Sequence, residues 1–300
     1  MNKDYRSGFV TMIGRPNVGK STLLNQIIGE KISIISNKIQ TTRNPIQGIY
    51  TKEDTQIIFI DTPGVHKPRT KLGDYMVESS IQTLQDVDVV LFMVNADEGY
   101  GKGDQFILDK LIQLQHQHVF LLINKVDLIH PDEVFALIET YTEKVNFDEV
   151  IPISALNGNN VPTLVNLLRE YLPAGPQFYG DDEITNRSLR FMLSELIREK
   201  VLFYTEEEIP HSINVMIESM ERRDNKKTHI QSLIVTERSS QKGILIGKQG
   251  QMLKRIGREA RKDIEELLGE KVYLDIWVKV QKDWRNRTDL LHDYGFSDKE

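Results

Sequence analysis

The first half of the chain alternates short apolar runs with stretches in which apolar residues recur at helical spacing. The runs VVLFMV at 89–94 and VFLLIN at 119–124 are apolar almost throughout, as is typical of strands covered on both faces. Strands that alternate with helices in this way predict a mostly parallel α/β sheet with helices on both faces. The predicted strands are Gly8–Gly14, Pro45–Thr51, Thr55–Asp61, Val87–Asn95, His118–Asn124 and Glu149–Ser154, and the predicted helices are Gly19–Ile28, Leu72–Gln85, Asp104–Gln115, Pro131–Val145 and Val161–Tyr171.

The order of elements changes beyond a break at Leu172–Asp182. The break reads LPAGPQFYGDD, and its prolines, glycines and adjacent aspartates predict a linker. The pattern after it predicts a small α+β domain in the order α-β-β-α-β. We therefore divide the chain into a first domain (1–172), a linker (173–185), a second domain (186–285) and a C-terminal tail (286–300). The predicted elements of the second domain are helices at Asn186–Thr205 and Gly250–Leu268 and strands at Ser212–Glu221, Thr228–Glu237 and Lys271–Val280.

Composition narrows the functions open to this chain. Its 300 residues suit two domains, and the absence of cysteine excludes disulfides, thiolate catalysis and cysteine-ligated metal. The seven histidines are scattered, so we expect no zinc site. The N-terminus lacks a signal peptide, and the longest apolar run is too short to span a membrane, so we expect a cytoplasmic protein. A net charge of −6 argues against indiscriminate binding to nucleic acid, so an RNA site must be a local basic patch.

A phosphate-binding motif follows the first predicted strand. Gly14–Ser21 reads GRPNVGKS and fits G-x-x-x-x-G-K-[ST] between a strand and a helix. The glycines let backbone N–H groups converge on phosphate oxygens, and the helix N-terminus favours negative charge there. We expect Lys20 to reach the β- and γ-phosphates and the Ser21 hydroxyl to bind Mg²⁺. The alternative, an ordinary glycine-rich turn, is disfavoured by the match and its context.

Three further motifs at strand ends complete the nucleotide site, and two of them select guanine. In DTPG, Asp61 can hold Mg²⁺ through water and the Gly64 N–H can sense the γ-phosphate. In NKVD, the Asp127 carboxylate can accept two guanine N–H groups that adenine lacks, and Lys125 can stack along the base. The Ala155 N–H can meet the guanine O6. The predicted GTP-binding residues are Gly14, Asn17, Val18, Gly19, Lys20, Ser21, Thr22, Asp61, Gly64, Asn124, Lys125, Asp127, Ser154 and Ala155.

These four motifs resemble those of the translation-factor-related GTPases of the TrmE–Era–EngA group. The resemblance implies a switch threonine in the loop after the first helix, where the chain reads QTTR. We assign Thr42 to Mg²⁺ and γ-phosphate sensing, with Thr41 as the alternative and a plain polar loop as the second alternative. The predicted catalytic residues are Lys20, Thr42 and Gly64, and the predicted Mg²⁺-binding residues are Ser21, Thr42 and, through water, Asp61.

Val65 follows the DTPG motif at a position where Ras-type enzymes place a glutamine that orients the attacking water. Valine cannot do this. We therefore expect slow intrinsic hydrolysis, with water positioned by backbone groups or a partner. Asn17 resembles the asparagine that recruits K⁺ in related GTPases, which makes K⁺ a candidate cofactor. Arg43 and Arg69 could be trans-acting or internal arginine fingers, but no geometric reason favours either, and we interpret both as solvated loop charges.

The second domain carries a G-x-x-G loop at Gly247–Gly250, ahead of a predicted helix. Such a loop clamps the backbone of about four nucleotides in KH domains. The stretch from Arg238 to Lys262 is rich in Lys and Arg and contains one acidic residue, Glu259, which predicts a phosphate-binding patch. The alternative is a turn with a solvated basic face. The predicted RNA-binding residues are Ile244, Ile246, Gly247, Lys248, Gln249, Gly250, Lys254 and Arg258.

Taken together, the two motif sets resemble the Era family of bacterial ribosome-assembly GTPases, which join a G domain to a type II KH domain of order α-β-β-α-α-β. The matching stretches GRPNVGKST, QTTR, DTPG, NKVD, ISA, SELIREK, the G-x-x-G loop and LDIWVKV extend over nearly the whole chain. The resemblance implies binding to 16S ribosomal RNA near its 3′ end and to the 30S subunit, a role in small-subunit assembly, and peripheral association with the inner face of the cell membrane. We expect a monomer that does not bind DNA.

Three other functions compete with an RNA-binding GTPase switch. A tRNA-modification GTPase would need a further catalytic domain, which this chain lacks. A static RNA-binding protein with a vestigial nucleotide fold is disfavoured because Lys20, Ser21, Asp61, Asn124 and Asp127 are all present. A membrane-associated switch without RNA stays open at this stage. In the favoured hypothesis GTP orders the loops around Thr42 and Gly64 and thereby repositions the KH domain across the linker.

Overall fold

The computed structural model describes residues 5–113, 118–222 and 227–296. Residues 1–4, on which the expectation of no signal peptide partly rests, residues 114–115 of a predicted helix and the last four residues of the predicted tail lie outside the described residues. The chain forms two compact units. The first comprises Met1–Ser33, Thr42–Arg69 and Gly73–Asn186, and the second comprises Ile34–Thr41, Thr70–Leu72 and Arg187–Glu300.

Within its described residues the first unit contains a six-stranded sheet in the order β2-β3-β1-β4-β5-β6. β2 runs antiparallel to β3, and the other neighbouring strands pair in parallel. The mostly parallel sheet predicted from the sequence is therefore confirmed. The strands are β1 (Arg6–Gly14), β2 (Ile46–Lys52), β3 (Thr55–Asp61), β4 (Val89–Asn95), β5 (His118–Asn124) and β6 (Glu149–Ile153), and the helices are α1 (Lys20–Ile28), α2 (Lys71–Gln82), α3 (Lys102–Leu111), α4 (Pro131–Thr142) and α5 (Val161–Tyr171).

The central strand β4 is buried at every position, because helices cover both faces of the sheet at its centre. In the parallel part of the sheet, Gly14 pairs with Met93 and Asn95 pairs with Asn124. These pairs place the carboxyl ends of β1, β4 and β5 at one edge. The loops that follow β1, β3, β5 and β6 meet at this edge, where ligands bind in open α/β sheets.

The residues predicted as a linker follow the surface of the first unit. The Gln56 side chain is fully buried, and its Oε1 accepts hydrogen bonds from the N–H groups of Phe178 (2.7 Å) and Tyr179 (2.9 Å). The Ser7 hydroxyl donates to the Pro176 carbonyl (2.6 Å). The first unit thus extends through this segment to Asn186.

The second unit contains, among its described residues, a three-stranded sheet in the order β7-β8-β9. β7 and β8 are antiparallel, whereas β8 and β9 are parallel. Apolar residues of α6 and α9 form the core on one face of this sheet. The strands are β7 (Asn214–Arg222), β8 (Thr228–Thr236) and β9 (Val272–Val280), and the helices are α6 (Leu189–Tyr204), α7 (Ile209–Ser212), α8 (Ser239–Ile246), α9 (Gln251–Leu268) and α10 (Thr288–Asp293).

Helix α8 corrects the order α-β-β-α-β that the residue pattern predicted. Its eight residues bury only Gln241 and Leu245, which is too few to produce a helical stripe in the sequence. The order implied by the family resemblance, with two helices between the second and third strands, is the one observed.

Trp284 anchors the C-terminal end of the second unit. Its ring is fully buried and its Nε1 donates to the Ser212 carbonyl (2.9 Å). Phe296 stacks on the Trp284 ring at a centroid distance of 6.1 Å. The predicted tail therefore packs on its own unit at least as far as Phe296. No helix in the described part of the chain is long and apolar enough to cross a bilayer.

Candidate functional site

The Gly14–Ser21 loop joins β1 to α1 at the carboxyl edge of the sheet. A Cβ atom at Gly14 would overlap the Met93 carbonyl oxygen, and a Cβ atom at Gly19 would overlap the Asn124 amide nitrogen. Gly19 also has a φ of 103°, in the left-handed region that favours glycine. Both glycines are therefore required by the packing of this loop.

Lys20 begins α1 and is buried. Its Nζ donates to the carbonyl oxygens of Gly14 (3.2 Å) and Arg15 (3.1 Å). Burial lowers the pKa of Lys20 to about 8, and the nearby Asp61 carboxylate opposes this shift. A polyphosphate at the N-terminus of α1 would restore the preference of Lys20 for its charged form.

The Asp61 carboxylate accepts hydrogen bonds from hydroxyl groups in three segments of the described chain. Its Oδ2 accepts hydrogen bonds from Ser21 (2.6 Å), Ser33 (3.0 Å) and Thr42 (3.3 Å). Asp61 is fully buried, and burial raises the pKa of its carboxyl group. Its Oδ1 is buried with no hydrogen-bond partner among the described residues. An orphaned carboxylate oxygen beside hydroxyl oxygens provides the hard ligands that Mg²⁺ prefers.

The structure thus brings together Ser21, Thr42 and Asp61, the three predicted Mg²⁺-binding residues, and adds Ser33, which the sequence analysis missed. Asn25 on α1 fixes Ser33: its Oδ1 accepts the Ser33 N–H (3.0 Å) and its Nδ2 donates to the Ser33 carbonyl (2.7 Å). No motif includes Ser33, and the only signal was its position in the loop between α1 and the QTTR segment.

The structure distinguishes the two switch-threonine candidates. The Thr42 hydroxyl lies 3.0 Å from the Ser21 hydroxyl and is buried. The Thr41 hydroxyl instead donates to the Lys38 carbonyl (2.6 Å). The geometry therefore favours Thr42 for contact with the metal and the γ-phosphate. Arg43 is only 2% exposed, so its interpretation as a solvated charge is wrong. Arg69 is exposed as expected.

Gly64 lies directly against the phosphate loop. A Cβ atom at Gly64 would come within 2.7 Å of the Pro16 Cα. The next residue, Val65, donates its N–H to the Gly14 carbonyl (3.1 Å), and its side chain is buried in the hydrophobic core. The side chain at the position of the Ras-type glutamine therefore packs inward and does not face the phosphate loop.

Asn124 ties the base-binding motifs to the phosphate loop. Its Nδ2 donates to the Val18 carbonyl (2.7 Å), and its Oδ1 accepts the Ala155 N–H (2.9 Å). Lys125 adopts a left-handed φ of 66°, and Asp127 is exposed in the following 3₁₀ turn. Asn124 thus orients the loops, whereas Asp127 is left accessible for guanine. Of the other predicted residues, Asn17 turns the phosphate loop with a φ of 63°, Thr22 lies in α1 and Ser154 is buried at the end of β6.

The G-x-x-G loop of the second unit joins α8 to α9. Gly247 has a φ of 70°, and a Cβ atom there would lie 2.7 Å from the Met252 Cβ. Gln249 and Gly250 also adopt positive φ values, 52° and 76°. Lys248 and Gln249 are exposed. The backbone therefore turns sharply at the N-terminus of an 18-residue helix, and the loop is open to phosphate groups.

A groove of about 460 Å³ lies beside α9 and β9. Three predicted RNA-binding residues, Gly250, Lys254 and Arg258, line it. The other five do not: Ile244 is exposed on α8, Ile246 is half-buried, and Gly247, Lys248 and Gln249 form the loop. The sequence analysis did not assign the other residues that line the groove to RNA binding. Their signals were helical spacing on α9 and alternation on β9. These residues are Leu253, Gly257, Arg261, Leu274 and Ile276.

Comparisons with known proteins agree with this two-part architecture. The family model described as a 50S ribosome-binding GTPase matches residues 9–125, and the KH domain model matches residues 208–285. A solved structure of Era in complex with MgGDPNP and nucleotides 1506–1542 of 16S ribosomal RNA is 42% identical, with 98% of this chain and 99% of that chain covered and a TM-score of 0.95.

The chain belongs to the Era family. A second member, a Tyr-to-Ala variant of Era from Aquifex aeolicus bound to GDP and AlF₄⁻, is 41% identical over 97% of this chain and 99% of that chain, with a TM-score of 0.94. Membership in the Era family makes this protein a GTPase whose second unit is a KH domain. The G-domain and KH predictions are confirmed.

Proposed function

We propose that this Era-family GTPase is a GTP-controlled switch that binds the 3′ region of small-subunit ribosomal RNA through its KH domain and acts in small-subunit assembly. The observation that carries the proposal is the match, over nearly the full length of both chains, to Era bound to a GTP analogue and 16S RNA. The G-domain family description mentions the 50S subunit. The small subunit is preferred because the RNA-bound relative shares both domains.

In the nucleotide site, Lys20 and the backbone of the phosphate loop would bind the β- and γ-phosphates, and Asp127 would select guanine. Ser21, Thr42 and, through water, Asp61 would hold Mg²⁺, which neutralises phosphate charge when bound. Thr42 and Gly64 would sense the γ-phosphate. This assignment is supported by the hydroxyl cluster on the Asp61 carboxylate and by the approach of Gly64 to Pro16.

Intrinsic hydrolysis is proposed to be slow, because the buried Val65 side chain cannot orient water. Backbone groups or a partner would position the water. Asn17 is proposed to help bind K⁺, which would replace an arginine finger. Turnover measured in KCl and in NaCl tests the cation: a kcat that is higher in KCl is expected, and equal values would remove K⁺ from the mechanism.

In the KH domain, the Gly247–Gly250 loop and the groove beside α9 are proposed to bind single-stranded RNA. Lys254 and Arg258 would contact phosphates, and the apolar floor formed by Leu274 and Ile276 would contact bases. If GTP and RNA are coupled, each must change the affinity for the other by the same factor. Equal RNA affinities in the GTP-analogue and GDP states would contradict the switch.

We further propose a monomeric cytoplasmic protein that associates peripherally with the inner face of the cell membrane. The basic residues of the KH domain allow either RNA or anionic lipid to be the ligand. Replacing Lys254 and Arg258 separates the two: loss of RNA binding supports the KH assignment, and loss of binding to anionic vesicles alone would favour a membrane switch without RNA.

The decisive experiment measures GTP turnover in KCl with and without small ribosomal subunits or an RNA fragment of the 16S 3′ end. Lys20→Ala is the control for a dead nucleotide site, and the double change Lys248→Asp with Gln249→Asp removes phosphate binding by the G-x-x-G loop. Stimulation that is lost in the double variant would support one RNA-linked switch. Absence of stimulation with RNA binding intact would mean that RNA only anchors the protein.

A further inference from the structure

The side chain of Arg15, the second residue of the phosphate loop, makes contacts that none of the nucleotide-binding motifs requires. Its Nε lies 3.1 Å from Asp104 Oδ1, and its Nη2 lies 3.2 Å from Glu98 Oε2. The same Nη2 donates to the Gly99 carbonyl (3.1 Å). The Arg15 side chain thus ties the phosphate loop to the segment between β4 and α3.

Three glycines in the sequence GYGKG lie beside Arg15, and two of them, Gly101 and Gly103, leave the space that its side chain fills. Gly99 has a φ of +66°, which presents its carbonyl oxygen to the guanidinium. A Cβ atom at Gly101 would lie 3.4 Å from Arg15 Nη1, and one at Gly103 would lie 2.8 Å from Arg15 Cδ. Gly103 is in the first turn of α3, so its space against Arg15, rather than its backbone conformation, is what an alanine would change.

The two carboxylates that face Arg15 each accept a further hydrogen bond from their own segment. Asp104 is fully buried, and its Oδ2 accepts the Gly101 N–H (2.9 Å). Burial raises the pKa of the Asp104 carboxyl group, and the Arg15 charge opposes that shift. Glu98 is fixed in turn by the Asn95 amide (2.7 Å). A buried carboxylate paired with one cation holds that cation in place, because separating the two would leave a charge uncompensated.

The near side of Arg15 is the nucleotide site itself. The Arg15 carbonyl accepts a hydrogen bond from Lys20 Nζ (3.1 Å). The preceding carbonyl, that of Gly14, accepts from both Lys20 and the Val65 N–H. The following residue, Pro16, abuts Gly64. Any shift of the Arg15 backbone would therefore move the groups that face the γ-phosphate.

We propose that Arg15 is a positioning residue for GTP hydrolysis. Its side chain acts through the phosphate-loop backbone and through Gly64, and it touches no nucleotide atom. Asp104 and Glu98 fix its guanidinium, and Arg15 in turn fixes Lys20 and the Pro16–Gly64 contact. This inference rests on the proposed function, in which Gly64 senses the γ-phosphate, so losing this support should weaken hydrolysis and GTP binding more than GDP binding.

The test uses Gly103→Ala, which keeps the Arg15 charge but fills the space that its side chain occupies. Alanine is a better helix former than glycine, so this change does not weaken α3 itself. We expect Gly103→Ala and Arg15→Ala each to lower kcat about tenfold, with GDP affinity changed by less than about threefold. The double variant should be no worse than Arg15→Ala alone, because alanine lacks the Cγ and Cδ atoms that the new Cβ at position 103 would meet.

Three outcomes would overturn the proposal. One is a kcat and a GTP-to-GDP affinity ratio that both stay at wild-type values in Gly103→Ala. Another is a double variant whose loss equals the product of the two single losses. The third is a loss of thermal stability in Arg15→Ala and in Asp104→Asn with kcat unchanged, which would make the ion pair purely structural. Gly243→Ala on α8 is the matched control. The new Cβ atom would meet no described atom within 4 Å, so turnover should stay unchanged.

Discussion

The phosphate loop of the G domain and the G-x-x-G loop of the KH domain both lead into a helix N-terminus, but packing constrains them differently. In the phosphate loop, Cβ atoms at Gly14 and Gly19 would overlap the neighbouring Met93 and Asn124, and Lys20 is buried. In the G-x-x-G loop, a Cβ atom at Gly247 would meet Met252 in the first turn of the loop's own helix, and one at Gly250 would meet no described atom within 4 Å. The first loop is shaped by its surroundings, whereas the second depends mainly on its own backbone conformation and exposed charge.

The largest expected effect comes from the most tightly packed glycine. Gly19→Ala combines a left-handed φ of 103° with an overlap against Asn124, so we expect GTP and GDP affinities to fall about 100-fold or more. Displacement of a fluorescent guanine nucleotide measures this. Gly250→Ala, which meets strain but no overlap, is the matched variant, and its RNA affinity should fall only about fivefold. Losses of similar size in the two variants would break the comparison.

Asp61→Asn should remove much of the increase in GTP affinity that Mg²⁺ provides. The change preserves shape but deletes the charge on which three described hydroxyl groups converge. We expect the gain in GTP affinity on adding Mg²⁺ to fall about 10- to 100-fold. Dissociation rates of GTP measured in Mg²⁺ and in EDTA provide the readout. Ser33→Ala keeps the carboxylate and should show a smaller loss, and a normal Mg²⁺ response in Asp61→Asn would contradict the assignment.

Replacing a single exposed charge in the KH groove should weaken RNA binding only moderately. Lys254→Gln is expected to weaken RNA binding about threefold to tenfold and to lower the salt slope by about one unit, while GTP binding stays the same. Titration of an RNA fragment at several KCl concentrations measures both quantities. Lys262→Gln is the control, because Lys262 pairs with Glu259 (2.8 Å) and does not line the groove. An equal loss in the two variants would point to nonspecific attraction.

The smallest expected effect is a proton taken up at Lys20. The pKa of Lys20 is lowered to about 8 by burial, and bound phosphates should raise it. Nucleotide binding then recruits about a quarter of a proton at pH 7.5 and about three quarters at pH 8.5, so affinity falls as pH rises through this range. Calorimetry in buffers of different ionisation enthalpy measures the uptake. A constant uptake across these pH values would exclude Lys20 as its source.

The sequence predicted the G domain well because its signals are local. Apolar runs marked β4 and β5, and the nucleotide motifs are short segments whose spacing has a direct chemical reason. The sequence could not predict contacts between segments far apart in the chain, such as Arg15 with Asp104 or Ser33 with Asp61. No periodicity reports such pairs, because they are set by how the loops meet at the sheet edge.

In the KH domain, too, the sequence pattern did not predict features that depend on tertiary packing. Helix α8 buries too few residues to leave a pattern, and only the family resemblance predicted a second helix there. The groove was identified by its basic helix, but Leu274 and Ile276 were interpreted only as strand residues. Their pairing with α9 is a tertiary property. Charge patches and turn motifs thus located the site approximately, and packing determined which residues line it.

The attachment of residues 173–185 to the first unit bears on where the G domain can be cut. A fragment that ends at Leu172 would leave the buried Gln56 amide without its partners at Phe178 and Tyr179. It would also expose Phe9, whose ring lies 5.2 Å from that of Phe178. Buried polar groups without partners destabilise a fold. The autonomous folding unit therefore ends near Asn186, and the proline- and glycine-rich stretch before it should resist proteolysis despite its loop-like composition.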